Sequence, residues 1–178
     1  MDSTSPDLSY PIGRFDFKQT VTAEQLPGLI TQIKVLPATL RAAVNELGEE
    51  LETPYRPGGW TVRQTVHHLA DSHMNSFVRF RLALTEDTPP IKAYEQAAWA
   101  ELADSRTAPI EPSLQLLEGL HLRWVYLLNS MPPEQFARGF QHSELGVVRL
   151  DLITALYAWH GRHHVAHITA LRDRNGWK

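Results

Sequence analysis

The stretch "WHGRHHVAHITALR", Trp159 to Arg172, places four histidines within eight positions near the C-terminus of a 178-residue chain. Read as a helix at about 100° per residue with His160 at zero, Ile153 and Leu171 fall near +20°, Leu156 near −40°, His164 near +40° and Tyr157 near +60°. His160 therefore lies at the centre of an apolar face. His164 follows one turn later, where two Cβ atoms are about 5–6 Å apart and two imidazoles can reach one ion. His167 and His163, near −20° and −60°, flank the pair and read as supporting or surface residues. A single inward histidine is ordinarily a hydrogen-bonded core residue. Two together without partners are costly to bury, and a shared cation removes that cost by accepting both lone pairs.

Outward from this helix, the remaining sequence reads as three further helices. "TAEQ", Thr22 to Gln25, has capping-box spacing and opens an apolar series Leu26, Ile30, Ile33, Leu40, Val44, Leu47 that Gly48 should end and Pro37 should kink or divide. "TVRQ" repeats the signature at Thr61 to Gln64 and leads a long second helix to about Leu84. A Pro-rich and acidic stretch follows, expected to be a crossover with one short helix near Glu95 to Glu101. A third helix spans about Ser113 to Ser130. Gly146 sits between short apolar runs that suggest a hairpin, and Asp151 should cap a fourth helix ending near Asp173. The expectation is an all-α chain: one domain over 1–178, with an N-terminal extension over about 1–20 and a four-helix bundle with a long crossover between helices 2 and 3. Such bundles build metal sites from inward-facing side chains on neighbouring helices.

Composition narrows the chemistry. The net charge is −3 with no basic patch, which argues against nucleic acid and anionic lipid as partners. No apolar run reaches the ~18–20 residues of a membrane span, and the N-terminus lacks a signal-peptide pattern, so a cytoplasmic location is expected. The chain has nine histidines and no cysteine, leaving only nitrogen and oxygen donors for a metal. No "HExxH" occurs, which excludes zincin-type proteases, and a single "EGLH" at Glu118 to His121 falls short of a di-iron bundle. His121 reads as a core or supporting residue.

A catalytic zinc site needs a third protein donor. "VHHLADSH", Val66 to His73, offers His67, His68 and His73. Periodicity puts His73 on the apolar stripe and His68 on a polar stripe with Gln64, Asp71, Asn75 and Arg79. Spacing leaves the choice open.

The blocks "PYRPGGWTVRQTVHHLADSHMNSFVRFRLALTED", "WAELADS", "LYAWHGRHHVAHITALR" and "YPIGRF" resemble the YfiT group of the DinB-like superfamily, and the likeness extends over nearly the whole chain. The resemblance implies a homodimeric four-helix bundle acting as a metal-dependent hydrolase on a small-molecule substrate. It also implies one divalent metal per chain, zinc first, with nickel, iron or manganese as alternatives. The ligands it implies are His68, His160 and His164. If His68 binds, the polar stripe should border the cavity, with Gln64, Asn75, Tyr157, His163 and His167 lining or supporting the site. Asp71 is the candidate proton shuttle. Three neutral imidazoles leave a cation its full charge, enough to acidify water to a pKa of about 7 or to hold a thiolate. The alternatives are accordingly hydrolysis, S-transfer using a bacillithiol-type thiol, and metal or ligand binding without catalysis.

Overall fold

The structure, a computed structural model, describes residues 7–177. Four long helices dominate it: α1 (Leu26–Val44), α2 (Val62–Thr85), α5 (Glu111–Ser130) and α7 (Leu150–Asn175). Short helices α3 (Gln96–Ala100), α4 (Ala103–Thr107) and α6 (Pro133–Phe136) lie in the connections. A small sheet joins β1 (Pro90–Ile91) in parallel to β2 (Gly139–His142), which pairs antiparallel with β3 (Gly146–Arg149).

α1 packs against α5 and α7, and α2 packs against the same two helices. The order around the bundle is therefore α1, α5, α2, α7, and the consecutive helices α1 and α2 lie across a diagonal. That arrangement brings α2 beside α7, the two elements carrying most of the histidines.

Local sequence explains the helix ends. At the start of α2 the Gln64 backbone N–H donates to Thr61 Oγ1 at 3.1 Å and the Thr61 N–H donates to Gln64 Oε1 at 2.9 Å, a complete capping box. Gly176 closes α7 in the left-handed region at φ 66°. Three expectations need correction. Pro37 does not divide α1, which runs unbroken through it. α1 ends at Val44, with Glu46 rather than Gly48 taking the positive φ of 61°. Asp151 is inside α7 rather than its cap, held by Arg149 and by the Leu152 N–H. The crossover carries two short helices where one was expected, and β1 was not foreseen at all.

The core has two parts. One surrounds Trp124, Phe80 and Phe140 near the sheet; the other gathers Leu40, Leu69, Leu117 and Ile168 toward the opposite end. Between them, the interior holds a band of histidines. Gly161 allows α7 to approach α1 closely, since a Cβ there would stand 2.5 Å from Leu36 Cδ2.

Candidate metal centre

His160 and His164 project from α7 toward α2, where His68 meets them. The Nε2 atoms of His68 and His160 are 3.3 Å apart, and one ring nitrogen from each of the three residues lies within 4.8 Å of the others. Ring centroids are 4.6 Å apart for His160 and His164 and 4.8 Å for His68 and His164. Two nitrogens on a tetrahedral zinc, each about 2.0–2.1 Å from it, stand about 3.3–3.4 Å apart.

The protonation states agree with such a use. Burial pushes His68 down to about 4, helped by the charge His163 would carry. Burial also drives His160 and His164 well below the ordinary histidine value, with mutual repulsion among the imidazoles adding to it. All three are neutral at pH 7, with lone pairs available. Nδ1 of His164 is buried with no hydrogen-bond partner among the described residues. Neutral imidazoles crowded together with an orphaned ring nitrogen are the donor set a divalent cation would satisfy.

A second grouping, His163, His164 and His167, shares one residue with the first. It suits a cation less well. His163 and His167 already bond to each other through their Nε2 atoms at 3.0 Å, and the positive charges of Arg56 and Arg174 act on His167. Burial, ahead of those charges, brings His167 down to about 3 and His163 to about 4.

The centre opens on a cavity of about 400 Å³. Its walls are aromatic: Trp60 lies 4.6 Å from the His68 ring, Tyr55 stacks on His167 at 4.0 Å, and Trp159 stacks on His163 at 4.4 Å. Ser9 and Tyr10 complete one side. The N-terminal stretch expected to be an extension thus forms part of the wall, anchored where Trp159 Nε1 donates to the Gly13 carbonyl at 3.2 Å. Trp60, Ser9 and Tyr10 are site residues that sequence reasoning missed. Only the aromatic beside the α2 cap offered a signal.

The other expected residues are distributed differently. His163 and His167 are buried in the cavity wall, in the lining or supporting place expected of them, whereas the α2 stripe is not. Gln64, Asp71, Asn75 and Arg79 do not line this cavity. The crossover covers part of their stripe: Gln64 Nε2 donates to the Ala100 carbonyl at 2.8 Å, and Arg79 donates to the Lys92 carbonyl. Asn75 returns to its own helix, donating to the Asp71 carbonyl. Asp71 is half-buried, raised to about 6 by burial and then by the nearby charge of Asp104 on α4. Tyr157 points its hydroxyl to Ser72, donating to its carbonyl at 3.1 Å, and borders a separate cavity with Arg79 and Tyr94. His73, the other α2 candidate, is fully buried and touches His160 from the opposite side, its Nε2 3.2 Å from His160 Nδ1. His68 and His73 thus both meet His160, on different ring nitrogens, whereas His67 turns to Ser113 Oγ at 2.8 Å.

The sequence profile of the DinB superfamily matches residues 32–168. The chain belongs to that superfamily. It is 53% identical over 172 residues to a Bacillus cereus (strain ATCC 10987 / NRS 248) protein named "Putative metal-dependent hydrolase", covering 96% of this chain and 99% of the relative. A Bacillus thuringiensis subsp. konkukian (strain 97-27) protein given the same description matches at the same identity and coverage. Among solved structures, YfiT from Bacillus subtilis superimposes with a TM-score of 0.93 at 50% identity, covering 96% of this chain and 99% of that one. YfiT is described as a probable metal-dependent hydrolase with an unusual four-helix bundle topology. This DinB-superfamily chain has the same bundle, with α1 and α2 diagonal to one another. No helix among its described residues is long and apolar enough to cross a membrane.

Proposed function

We propose that the chain is a metal-dependent hydrolase of small molecules, holding one divalent cation on His68, His160 and His164. Zinc is the first candidate, with nickel, iron or manganese as alternatives that nitrogen donors also accept. The observation that carries the reading is the 3.3 Å approach of two Nε2 atoms from different helices, with a third neutral imidazole beside them. A cation bound there supplies Lewis acidity, polarising a substrate carbonyl and acidifying water. Trp60 limits solvent on one side, and Tyr10, Tyr55 and Trp159 offer an apolar wall against which a substrate can be oriented. The nearest groups able to carry a proton are His163 and His167, one of which donates to the other. Asp71 can serve as a shuttle only through a route outside the described cavity wall.

A thiol S-transferase is the second reading, favoured by one feature: no carboxylate lines the cavity among the described residues. Hydrolysis would rely on imidazole as its base, whereas a thiolate needs only the cation to hold it. The homodimer implied by resemblance would fit the α5 face, where Leu122 and Tyr126 are 75% and 79% exposed. The deciding experiment gives metal-loaded protein activated esters and amides without thiol, and in parallel an epoxide or chlorinated electrophile with a panel of small thiols. Turnover of the first set supports the hydrolase. Consumption of thiol and electrophile together would replace it with the transferase, and tight metal binding without either activity would leave a binding protein.

A further inference from the structure

The back of His160 leads away from the cavity into a line of polar contacts across the bundle. His160 Nδ1 is 3.2 Å from His73 Nε2, His73 Nδ1 is 3.0 Å from His121 Nε2, and His121 Nδ1 is 2.7 Å from the carbonyl oxygen of Ile33. The members come one each from α7, α2, α5 and α1. His73 is 0% and His121 2% exposed, so water does not supply alternative partners.

The last contact has an origin in the sequence. In an α-helix the carbonyl of residue 33 accepts from the N–H of residue 37, and residue 37 is proline, which has none. Pro37 leaves the Ile33 carbonyl without its helical donor, and His121 supplies one. This explains why a helix-breaking residue is accommodated within a continuous α1.

A carbonyl oxygen can only accept, so Nδ1 of His121 must carry the proton. A neutral imidazole has a single N–H, so Nε2 of His121 is then an acceptor and His73 must donate from Nδ1. By the same logic Nε2 of His73 accepts and His160 donates from Nδ1. What remains on His160 is an Nε2 lone pair, and that atom faces His68.

We infer that the Ile33 carbonyl, freed by Pro37, fixes the tautomers of His121, His73 and His160 in turn, so that His160 presents a lone pair to the cavity before any cation arrives. His73 and His121 are thus positioning residues. Metal-binding histidines generally donate their other N–H to a carboxylate or carbonyl that orients them. Here two neutral imidazoles stand between ligand and carbonyl. They add no negative charge behind the ligand, so a cation in front of it keeps more of its Lewis acidity. The line is a lock rather than a proton wire, because its far end is a carbonyl with no proton to give. The tautomer assignment is independent of the hydrolase proposal; only its consequence for a cation rests on that reading of His160.

The test begins with the metal-free chain carrying ¹⁵N-labelled histidine. NMR of the ring nitrogens is expected to show the proton on Nδ1 in His121, His73 and His160; an Nε2–H form of His121 or His160 overturns the inference. His121→Leu removes both contacts, and His160 should then appear as a mixture of tautomers. The affinity for Zn²⁺, measured by competition with a chelator, should fall about 10–100-fold. Unfolding of the metal-free variant is followed in parallel, to separate loss of fold from loss of order at the site. A folded His121→Leu chain with an unchanged His160 tautomer and unchanged zinc affinity overturns the inference. If that variant does not fold, the spectrum of the parent still decides. A parent chain that shows the expected tautomers yet binds no zinc would refute the ligand proposal and leave the lock standing.

Discussion

Lowering the pH of the metal-free protein from 6 to 5 should destabilise it by at least about 2 kcal/mol. His68 and His121 are held by burial at about 4, while the same residues in the unfolded chain titrate near 6.5. Above pH 6.5 both states are neutral and these residues contribute nothing to the pH dependence. Below it the unfolded chain takes up protons that the folded chain refuses, so stability falls with pH until about 4, where the folded chain also binds them. Between pH 6 and 5 each such group costs about 1 kcal/mol. His73, His160 and His164 are also driven well below the ordinary histidine value by burial and by their neighbours, so they act in the same direction. His68 and His121 together amount to about 2 kcal/mol, against a total stability of about 5–15 kcal/mol for a domain, and the other three add to that loss. His163 and His167, also lowered chiefly by burial, act in the same direction. The assay is urea unfolding by circular dichroism at pH 7, 6 and 5 on chelator-treated protein, with the slope against urea checked for constancy. A loss below about 2 kcal/mol between pH 6 and 5 would mean that the histidine band is far better solvated than its burial indicates. The burial argument for neutral donors at the metal centre would then fail, whereas the tautomer lock, which rests on the contacts to the Ile33 carbonyl, is decided by the ring-nitrogen spectrum.

Other substitutions probe separate parts of the design. His68→Ala, His160→Ala and His164→Ala should each abolish stoichiometric metal on elemental analysis, whereas His163→Ala should retain it. Full metal in any of the first three contradicts the proposed ligand set. Trp60→Ala removes the ring packed on His68 while leaving all three imidazoles, so metal content should persist while substrate turnover, or substrate affinity measured by calorimetry, declines. Gly161→Ala should destabilise: a helix-propensity gain of about 1 kcal/mol is outweighed by an overpacking cost of about 1–3 kcal/mol against Leu36. Leu36→Ala alone should cost about 2–5 kcal/mol, and the double variant should lose less than the two singles together, as read from urea melts.

Helices were legible where periodicity and caps coincide. Thr61 with Gln64 marked the start of α2 to the residue, and the turns of three and four in α7 put His160 and His164 on one side. The ends that went astray were those where a competing local choice was available. Asp151 has a cap-forming side chain, yet Arg149 pairs with it inside the first turn of α7. β1 escaped notice because two residues carry no period, and only their pairing with β2 makes them a strand.

By itself, the sequence determined the all-α class, the helical faces and the absence of thiolate ligands, while its resemblance to the YfiT group implied a ligand triplet. What it left open was the choice between His68 and His73. A helix period assigns each residue a direction but not what stands there. The polar stripe of α2 suited solvent or a polar pocket equally until the crossover covered part of it and α7 was packed on its other flank. Tertiary structure alone decided that both histidines meet His160, one at each ring nitrogen, because that depends on the diagonal placement of α1 and α2. It also turned Pro37, locally a helix breaker, into the source of a free carbonyl at the end of the histidine line. The reason is physical: propensity and periodicity are properties of one segment, whereas the partners of a buried imidazole are supplied by every helix that surrounds it.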